Sequence, residues 1–321
     1  RHYPLGDQIA TLVGFYGKDG AQEGLEKSYD GLLAGEDGKK QYFKNAKQEV
    51  FVQPIEIKKA VQGKDIQLTI DATLQFYAYK YLVEGIKDNK AKAGTVIILD
   101  NEKGEVLAMA SYPSYNPNNP NRKIQKNRAL VDAYELGSVI KPIVLSKAID
   151  LNLISPYEDI YIPRRLNLDD KVIVDSKNHE KLSPQEIIAV SSQIGASKIA
   201  LQLGYSNLKN NYFEYGFTKP VSLNFPSSAF GYMNIKEKVA DKELASLGYG
   251  YGITISPFQI ASAYSVFAND GYLKDFKLLK NDEDISRKVI SANSADYVLE
   301  ALRQVVKDGT GKAADIKGFS E

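Results

Sequence analysis

Two apolar runs in the first half of the chain are spaced like the strands of a β-hairpin. Residues 94–100 and 105–111 are apolar runs joined by the loop Asn-Glu-Lys-Gly. A short glycine-containing loop between two such runs is typical of a hairpin. Upstream, Ile66, Leu68 and Ile70 alternate with polar residues, and apolar residues then recur at helical spacing over 72–86. The pattern predicts a helix followed by a hairpin that opens a sheet.

Local capping signals predict where later helices begin. Ser183 and Ser256 are each followed by Pro and then, three residues after the Ser, by Glu or Gln. This combination of an N-cap hydroxyl, Pro at the first helical position and a capping box indicates a helix start. The second of these helices continues as an apolar face to Ala268, and a last helix is predicted over 294–308 with Gly309 as its stop.

Residues 1–62 differ from the rest of the chain. They are rich in Gly and turn dipeptides and carry only short β-type runs, which is typical of a small irregular module. The whole chain has 321 residues, enough for about two domains at ~150 residues each. We therefore place a domain boundary near residue 62. Because the first residue is Arg1, without an initiator Met or signal sequence, we expect the chain to begin inside a longer precursor.

Composition excludes several classes of function. Lys plus Arg number 41 and Asp plus Glu number 40, so the chain lacks the positive field that nucleic acid or an anionic membrane would require. It has no Cys and only two His, His2 and His179, which removes disulfides, thiolate nucleophiles and Cys/His zinc sites. We expect no metal, no cofactor and no nucleic-acid partner. An enzyme of this composition uses Ser, Lys, Tyr or carboxylates.

A Ser and a Lys three residues apart form the strongest candidate for chemistry. Ser138 and Lys141 lie on one face of a helix, where a buried and therefore neutral Lys can take the Ser proton. The spacing alone is weak evidence, because Ser206 and Lys209 share it. Only the first pair has Gly before it, Pro after it and an apolar, buried-type helix beyond. That setting favours Ser138 as an acyl-transfer nucleophile.

A second element follows the helix predicted at Ser183. Ser191 and Gln193 stand two residues apart, and with Ser138 and Lys141 they fit the Ser-x-x-Lys and Ser-x-Asn motifs of the serine acyltransferases that react with penicillin. The chain resembles the class B penicillin-binding proteins in order and over nearly its whole length. The segments that carry the resemblance are Arg1-His2-Tyr3-Pro4, Gly24-Leu25-Glu26, Leu68-Thr69-Ile70-Asp71, Gly104-Glu105-Val106-Leu107-Ala108-Met109-Ala110, Tyr115-Asn116-Pro117-Asn118, Asn127-Arg128-Ala129, Gly137-Ser138-Val139-Ile140-Lys141-Pro142, Gly250-Tyr251-Gly252, Ala268-Asn269-Asp270-Gly271 and Gly309-Thr310-Gly311.

The resemblance implies an α+β fold of the penicillin-binding transpeptidase and serine β-lactamase type, with an antiparallel sheet between helical layers. Residues 63–321 would form this domain, and residues 1–62 would be the C-terminal part of a small N-terminal pedestal module. Within the family the chain looks most like the septal, cell-division enzymes, with the elongation-type enzymes second. The family is anchored by one N-terminal membrane helix, which would precede Arg1, with its catalytic domain outside the cytoplasmic membrane.

The resemblance also implies an activity, that of a peptidoglycan D,D-transpeptidase. Ser138 would attack the penultimate D-Ala of a stem peptide, with Lys141 as its general base. Ser191 would relay a proton to the leaving group, and Gln193 would stand where Asn normally binds the substrate backbone. The expected partners are stem peptides ending in D-Ala-D-Ala, β-lactams as covalent inhibitors, a membrane glycosyltransferase and division proteins.

The sequence departs from the family pattern at three places. Leu136 replaces the usual Pro before Gly137, and Gln193 replaces Asn. No Lys-Thr-Gly occurs, although in the family that strand supplies the second N–H of the oxyanion hole. We expect the biological protein to continue into that strand soon after Glu321. The alternative is a non-catalytic wall-binding or division-scaffold protein of the same fold, which covalent labelling by a fluorescent penicillin would distinguish.

Overall fold

The regular elements lie close to where the sequence predicts them. The computed structural model describes residues 1–120, 125–316 and 318. Its α-helices are α1 (Ala10–Val13), α2 (Gly24–Ser28), α3 (Asp30–Leu33), α4 (Ala72–Asp88), α5 (Arg128–Val131), α6 (Lys141–Asp150), α7 (Pro184–Ala189), α8 (Gln193–Leu203), α9 (Tyr205–Glu214), α10 (Asp241–Gly248), α11 (Pro257–Tyr264) and α12 (Ala292–Lys307).

The strands form antiparallel pairs within the described residues. β5 with β6 is the longest pair; the others are β1 with β2, β3 with β4, β7 with β10, β8 with β9, β11 with β12, and β13 with β14. Their bounds are β1 (Tyr16–Gly17), β2 (Gly20–Ala21), β3 (Lys39–Gln41), β4 (Ile55–Lys58), β5 (Gly94–Asp100), β6 (Glu105–Tyr112), β7 (Ile160–Tyr161), β8 (Leu166–Leu168), β9 (Lys171–Ile173), β10 (Lys181–Leu182), β11 (Tyr232–Met233), β12 (Ile253–Thr254), β13 (Tyr272–Asp275) and β14 (Ile285–Lys288).

Successive residues of β5 face two different helical layers, because side chains alternate across a strand. Val96 and Ile98 pack against α4. Ile97 and Leu99 join a cluster that contains Leu130 of α5 and Phe258 of α11. The predicted hairpin is therefore an antiparallel sheet between helices, as expected from the sequence.

Most of the remaining core is helical and lies around α6. Ile143, Val144 and Leu145 are at most 1% exposed, and they belong to one apolar cluster that also includes residues of α7, α8, α10 and α12. A helix surrounded on several sides by apolar residues is held rigidly, since protein interiors are close-packed. The same packing restricts the movement of Lys141, at the N-terminal end of this helix, and of Ser138 just before it.

Both capping signals in the sequence are confirmed. The side chains of Ser183 and Ser256 accept hydrogen bonds from the third helical residue, and the N–H groups of the two serines donate in return to the side chains of Glu186 and Gln259. The second helix ends at Tyr264, and a 3-10 turn over Ser265–Ala268 completes the predicted apolar face.

The alternating residues Ile66, Leu68 and Ile70 do not form a regular strand. Leu68 makes one isolated antiparallel bridge to Leu279.

The N-terminal residues divide into a packed part and an exposed part. Ile9, Leu12 and Leu25 lie in the same cluster as β6 and α11, so this part is continuous with the larger domain. Strands β3 and β4, in contrast, form an exposed hairpin. None of the described helices combines the length and apolarity that a bilayer crossing requires.

We predict that Leu145→Ala lowers the free energy of unfolding by about 2–5 kcal/mol, because it leaves a cavity in close-packed surroundings. Leu145 is 0% exposed, whereas Leu151 just beyond the same helix is 40% exposed. Leu151→Ala is therefore the matched control, with an expected change of under ~1 kcal/mol. Urea unfolding followed by circular dichroism measures both, and equal losses for the two variants would contradict this account of the core.

Candidate active site

Ser138 lies exposed on a tight turn that enters the buried helix α6. Residues Gly137–Ile140 form a 3-10 turn, and Gly137 has φ +59°. Neighbouring elements fix this turn from outside. The Gly137 N–H donates to Gly250 O at 3.3 Å, and the Tyr264 hydroxyl donates to Val139 O at 2.7 Å. The candidate nucleophile is thus held through the backbone on both sides.

The approach of the two loops leaves no room for a side chain at Gly250. A Cβ placed there would lie 2.1 Å from Gly137 O, and Gly250 has φ +93°. Both the contact and the left-handed backbone require glycine at this position. The loop that contains Gly250 therefore forms a wall directly beside Ser138.

Lys141 is buried one turn after Ser138, with 2% of its surface exposed. Its Nζ donates to Ser191 O at 2.6 Å and to Ser191 Oγ at 3.1 Å. Burial lowers the pKa of Lys141 from 10.5 to about 8, although the negative charge of Asp175 acts in the opposite direction. A lysine in this state loses its proton readily near neutral pH, as a general base must.

Ser191 reaches Lys141 from the connection between α7 and α8. Its φ is +59°, an uncommon conformation for a residue with a Cβ. The Ser191 and Ser192 N–H groups donate to carbonyls of α7, which closes the connection tightly. The structure therefore brings together Lys141 and Ser191, which are 50 residues apart in the sequence.

The sequence analysis missed Asp175, which anchors the start of α8. Its Oδ1 accepts from the N–H groups of Gln193 and Ile194 at 2.6 and 3.1 Å. Its Oδ2 accepts from Ser192 Oγ at 2.5 Å. A carboxylate at a helix N-terminus is favoured by the unpaired N–H groups there. No motif marks Asp175, because it follows β9 in a loop that becomes adjacent to α8 only in the folded chain.

Gln193 is the first residue of α8 and is exposed. Its main-chain N–H donates to Asp175 Oδ1. Ser206 and Lys209, the other pair with this spacing, lie on α9. Ser206 is exposed there, and the Lys209 ammonium lies 5.7 Å from the ring centre of Tyr205.

A cavity of about 130 Å³ opens beside Ser191, between the start of α8 and the loop after α12. Its walls include Asp175, Thr310 and the half-buried His179. Among the described residues, no cluster of three or more His, Cys, Asp or Glu side chains could hold a metal ion. The side chains at this cavity offer hydroxyls, carboxylates, a lysine amine and the His179 imidazole.

This arrangement suits transfer of an acyl group through a serine. A neutral Lys141 amine can accept a proton, and Ser191 Oγ lies within hydrogen-bond distance to pass a proton onward. Ser138 stands in the first turn of a helical segment, where N–H groups lack intrahelical acceptors and favour developing negative charge.

Comparison with known proteins agrees with this chemistry. The sequence profile of the penicillin binding protein transpeptidase domain matches residues 94–320. The chain is 33% identical to the peptidoglycan D,D-transpeptidase FtsI of Buchnera aphidicola subsp. Schizaphis graminum, over 99% of this chain and 57% of that protein. It is 31% identical to FtsI of Escherichia coli K12, over 99% of this chain and 55% of that protein.

A solved structure shares the fold over the whole chain. Penicillin binding protein 3 of Mycobacterium tuberculosis, complexed with aztreonam, superposes with a TM-score of 0.88 at 25% identity and covers 100% of this chain and 73% of that one. The chain spans a little over half the length of the two FtsI relatives. The match over residues 94–320 covers most of the chain. The protein therefore belongs to the penicillin-binding protein transpeptidase family.

Proposed function

We propose that the protein is a peptidoglycan D,D-transpeptidase that works through a Ser138 acyl-enzyme. The observation that supports this most strongly is the buried Lys141, whose pKa is lowered to about 8 and whose ammonium contacts Ser191. Burying a charged lysine is costly, so a fold that does so in contact with Ser191, one turn after the exposed Ser138, is organised for proton transfer. The names of the FtsI relatives state the same activity.

In the first half-reaction, Ser138 Oγ attacks the carbonyl carbon of the penultimate D-Ala. The new C–O bond forms as Lys141 Nζ takes the hydroxyl proton. The amide C–N bond then breaks, and the departing nitrogen of the terminal D-Ala receives a proton through Ser191 Oγ, which lies 3.1 Å from Lys141 Nζ. The products are a Ser138 ester and free D-Ala.

In the second half-reaction, an amine of a neighbouring stem peptide attacks the Ser138 ester. The amine nitrogen forms an amide bond to the acyl carbon and loses a proton to Lys141. The ester C–O bond breaks, and the released Ser138 oxygen takes up a proton to restore its hydroxyl. The Ser138 N–H would stabilise the oxyanion in both steps. The second N–H that donates to the oxyanion would come from the Lys-Thr-Gly strand expected from the family resemblance. Gln193 would hydrogen-bond the substrate backbone from the start of α8.

The cellular context follows from the relatives' names and is also a proposal. FtsI similarity favours septal wall synthesis, with the catalytic domain outside the cytoplasmic membrane and a single N-terminal anchor. A membrane glycosyltransferase and division proteins would be partners. β-Lactams would acylate Ser138, as the aztreonam complex of the Mycobacterium tuberculosis relative suggests. The division at residue 62 into a pedestal module and a transpeptidase domain stays a proposal.

We predict that Ser138→Ala abolishes covalent labelling by fluorescent penicillin in the full-length protein, because Ser138 is the proposed nucleophile, exposed at the entry to the helix that begins with the buried Lys141. Ser206→Ala is the control, since Ser206 has the same spacing to a lysine but lies exposed on α9, and it should label like the unchanged protein. Gel fluorescence and peptide mass spectrometry measure the adduct. An adduct on a residue other than Ser138, or undiminished labelling of Ser138→Ala, would refute the assignment and favour a non-catalytic role.

We predict that acylation accelerates about tenfold per pH unit below pH 8 and levels off above it. The neutral amine is the active base, and with a Lys141 pKa of about 8 only about a tenth of it is neutral at pH 7. Second-order acylation rates measured from pH 6 to 9.5 give the midpoint. A flat profile across this range would exclude Lys141 as the base.

Asp175→Asn should move that midpoint to lower pH. The Asp175 charge favours the protonated form of Lys141, so its removal lowers the pKa of Lys141 further, while the Asn oxygen can still accept from the start of α8. The control is Asp159→Asn, whose carboxylate pairs at the surface with Lys181 at 2.8 Å. An unchanged midpoint in Asp175→Asn would mean that Asp175 acts on structure alone.

We predict that Gln193→Ala slows acylation roughly tenfold, the effect expected from losing one substrate hydrogen bond. Gln193→Asn presents the same amide and should keep or raise the rate. Both are compared with the unchanged protein by stopped-flow acylation with a chromogenic cephalosporin. Equal rates for the Gln and Ala forms would show that Gln193 does not contact the ligand.

A further inference from the structure

A second, larger cavity lies beyond residues 249–252, the glycine loop that lies beside Ser138. It has a volume of about 350 Å³ and lies between β9, α10 and the loop after α10. Val239, Leu247 and Tyr251 give it apolar walls. Cavities of this size with apolar walls and a few polar groups are typical of ligand sites.

Positive charge dominates the lining of this cavity. Three lysines, Lys171, Lys236 and Lys242, face a single carboxylate, Glu243. Glu243 pairs with Lys236 at 2.8 Å, and Lys242 pairs with Asp170, outside the lining, at 2.6 Å. Exposed ion pairs of this kind are weak, so a ligand anion can compete for either lysine.

Lys171 has no such acidic partner. Among the described residues, no carboxylate oxygen lies within 4 Å of its ammonium; its Nζ instead donates to Ser246 Oγ at 2.7 Å. It lies 5.5 Å from the ring centre of Tyr249, and this ring is buried. These contacts hold the cation in place without neutralising it. A cation fixed in this way at the wall of a cavity, with Asp170 nearby but no carboxylate in ion-pair contact among the described residues, is suited to binding an anion.

The cavity is connected to the nucleophile through one short loop. Tyr251 and Gly252 line it, while Gly250 of the same loop accepts from the Gly137 N–H. The Gly252 N–H donates to Glu135 Oε1 at 2.7 Å, which ties the loop to the segment leading into Ser138. An extended peptide advances about 3.5 Å per residue, so successive residues of a bound peptide can follow this loop away from Ser138.

We propose that this cavity, with Lys171 as its recognition residue, binds a carboxylate of the acyl-donor stem peptide that lies upstream of its D-Ala-D-Ala end. The proposal rests on the transpeptidase function proposed above. In this proposal, a stem peptide that acylates Ser138 through its penultimate residue runs its preceding residues along the glycine loop, which is hydrogen-bonded to Gly137. A carboxylate on those residues meets Lys171, and their aliphatic carbons meet Val239 and Leu247.

The test compares two forms of one probe peptide on the full-length protein. The peptide is L-Ala-γ-D-Glu-L-Lys-D-Ala-D-Ala, with the D-Glu α-carboxylate either free or amidated. Equilibrium binding is measured by isothermal titration calorimetry with Ser138→Ala present in every form of the protein, so that the peptide binds without acylating it. The free carboxylate should bind about tenfold more tightly than the amide, the effect of one charge-assisted hydrogen bond. Lys171→Met, which keeps the length and apolar stem of the side chain, should remove this difference.

Two further variants separate charge from structure. Lys171→Arg keeps a cation and should retain the preference for the carboxylate. Lys209→Met is the matched control, because Lys209 also lies over a tyrosine ring, 5.7 Å from the centre of Tyr205, and Lys209 is not in the cavity lining. It should retain the preference in full.

Three results would overturn the proposal: no measurable binding of the free-carboxylate peptide, equal binding of the two forms, or a preference that survives in Lys171→Met. Failure of the underlying function is read separately, as the absence of penicillin labelling at Ser138 in the unchanged protein. A protein that labels at Ser138 but binds both peptides equally has the proposed activity without this subsite.

Discussion

The site depends on one buried cation and the two groups that hold it. Lys141 is almost fully buried, and it contacts both the carbonyl and the hydroxyl of Ser191. Without those contacts the buried ammonium would lose its hydrogen-bond partners. The tightly packed helix α6, the closed connection between α7 and α8, and the position of Asp175 all serve to bring these partners to the ammonium. The lowered pKa of Lys141 is the chemical result of that placement.

Local features of the fold could be predicted from the sequence because neighbouring residues determine them. The two capping boxes begin helices at Pro184 and Pro257, and the two apolar runs joined by a glycine-containing loop form the hairpin of β5 and β6. The last helix runs over Ala292–Lys307, close to the predicted 294–308. Leu68 differs, because its single pairing partner, Leu279, comes from a distant part of the chain.

The site was predictable only where a motif marks it. Ser138, Lys141 and Ser191 carry recognisable spacings, whereas Asp175 acts through three hydrogen bonds that exist only once its loop has folded against α8. Lys171 is likewise unmarked in the sequence. Its significance comes from the absence of an acidic partner within the described structure, which residue type alone does not reveal. The roles of Ser138, Ser191 and Gln193 in turnover, and the boundary at residue 62, stay predictions.

The left-handed backbone of Ser191 places two opposing demands on one residue. Its φ of +59° is a conformation that glycine adopts without steric cost, while the contact with Lys141 requires a hydroxyl that glycine lacks. Non-glycine residues in such conformations cost on the order of 1–3 kcal/mol and persist only where the surrounding structure enforces them. Selection for thermal stability and selection for reactivity therefore act in opposite directions here, and the most stabilising substitution would remove the hydroxyl that contacts Lys141.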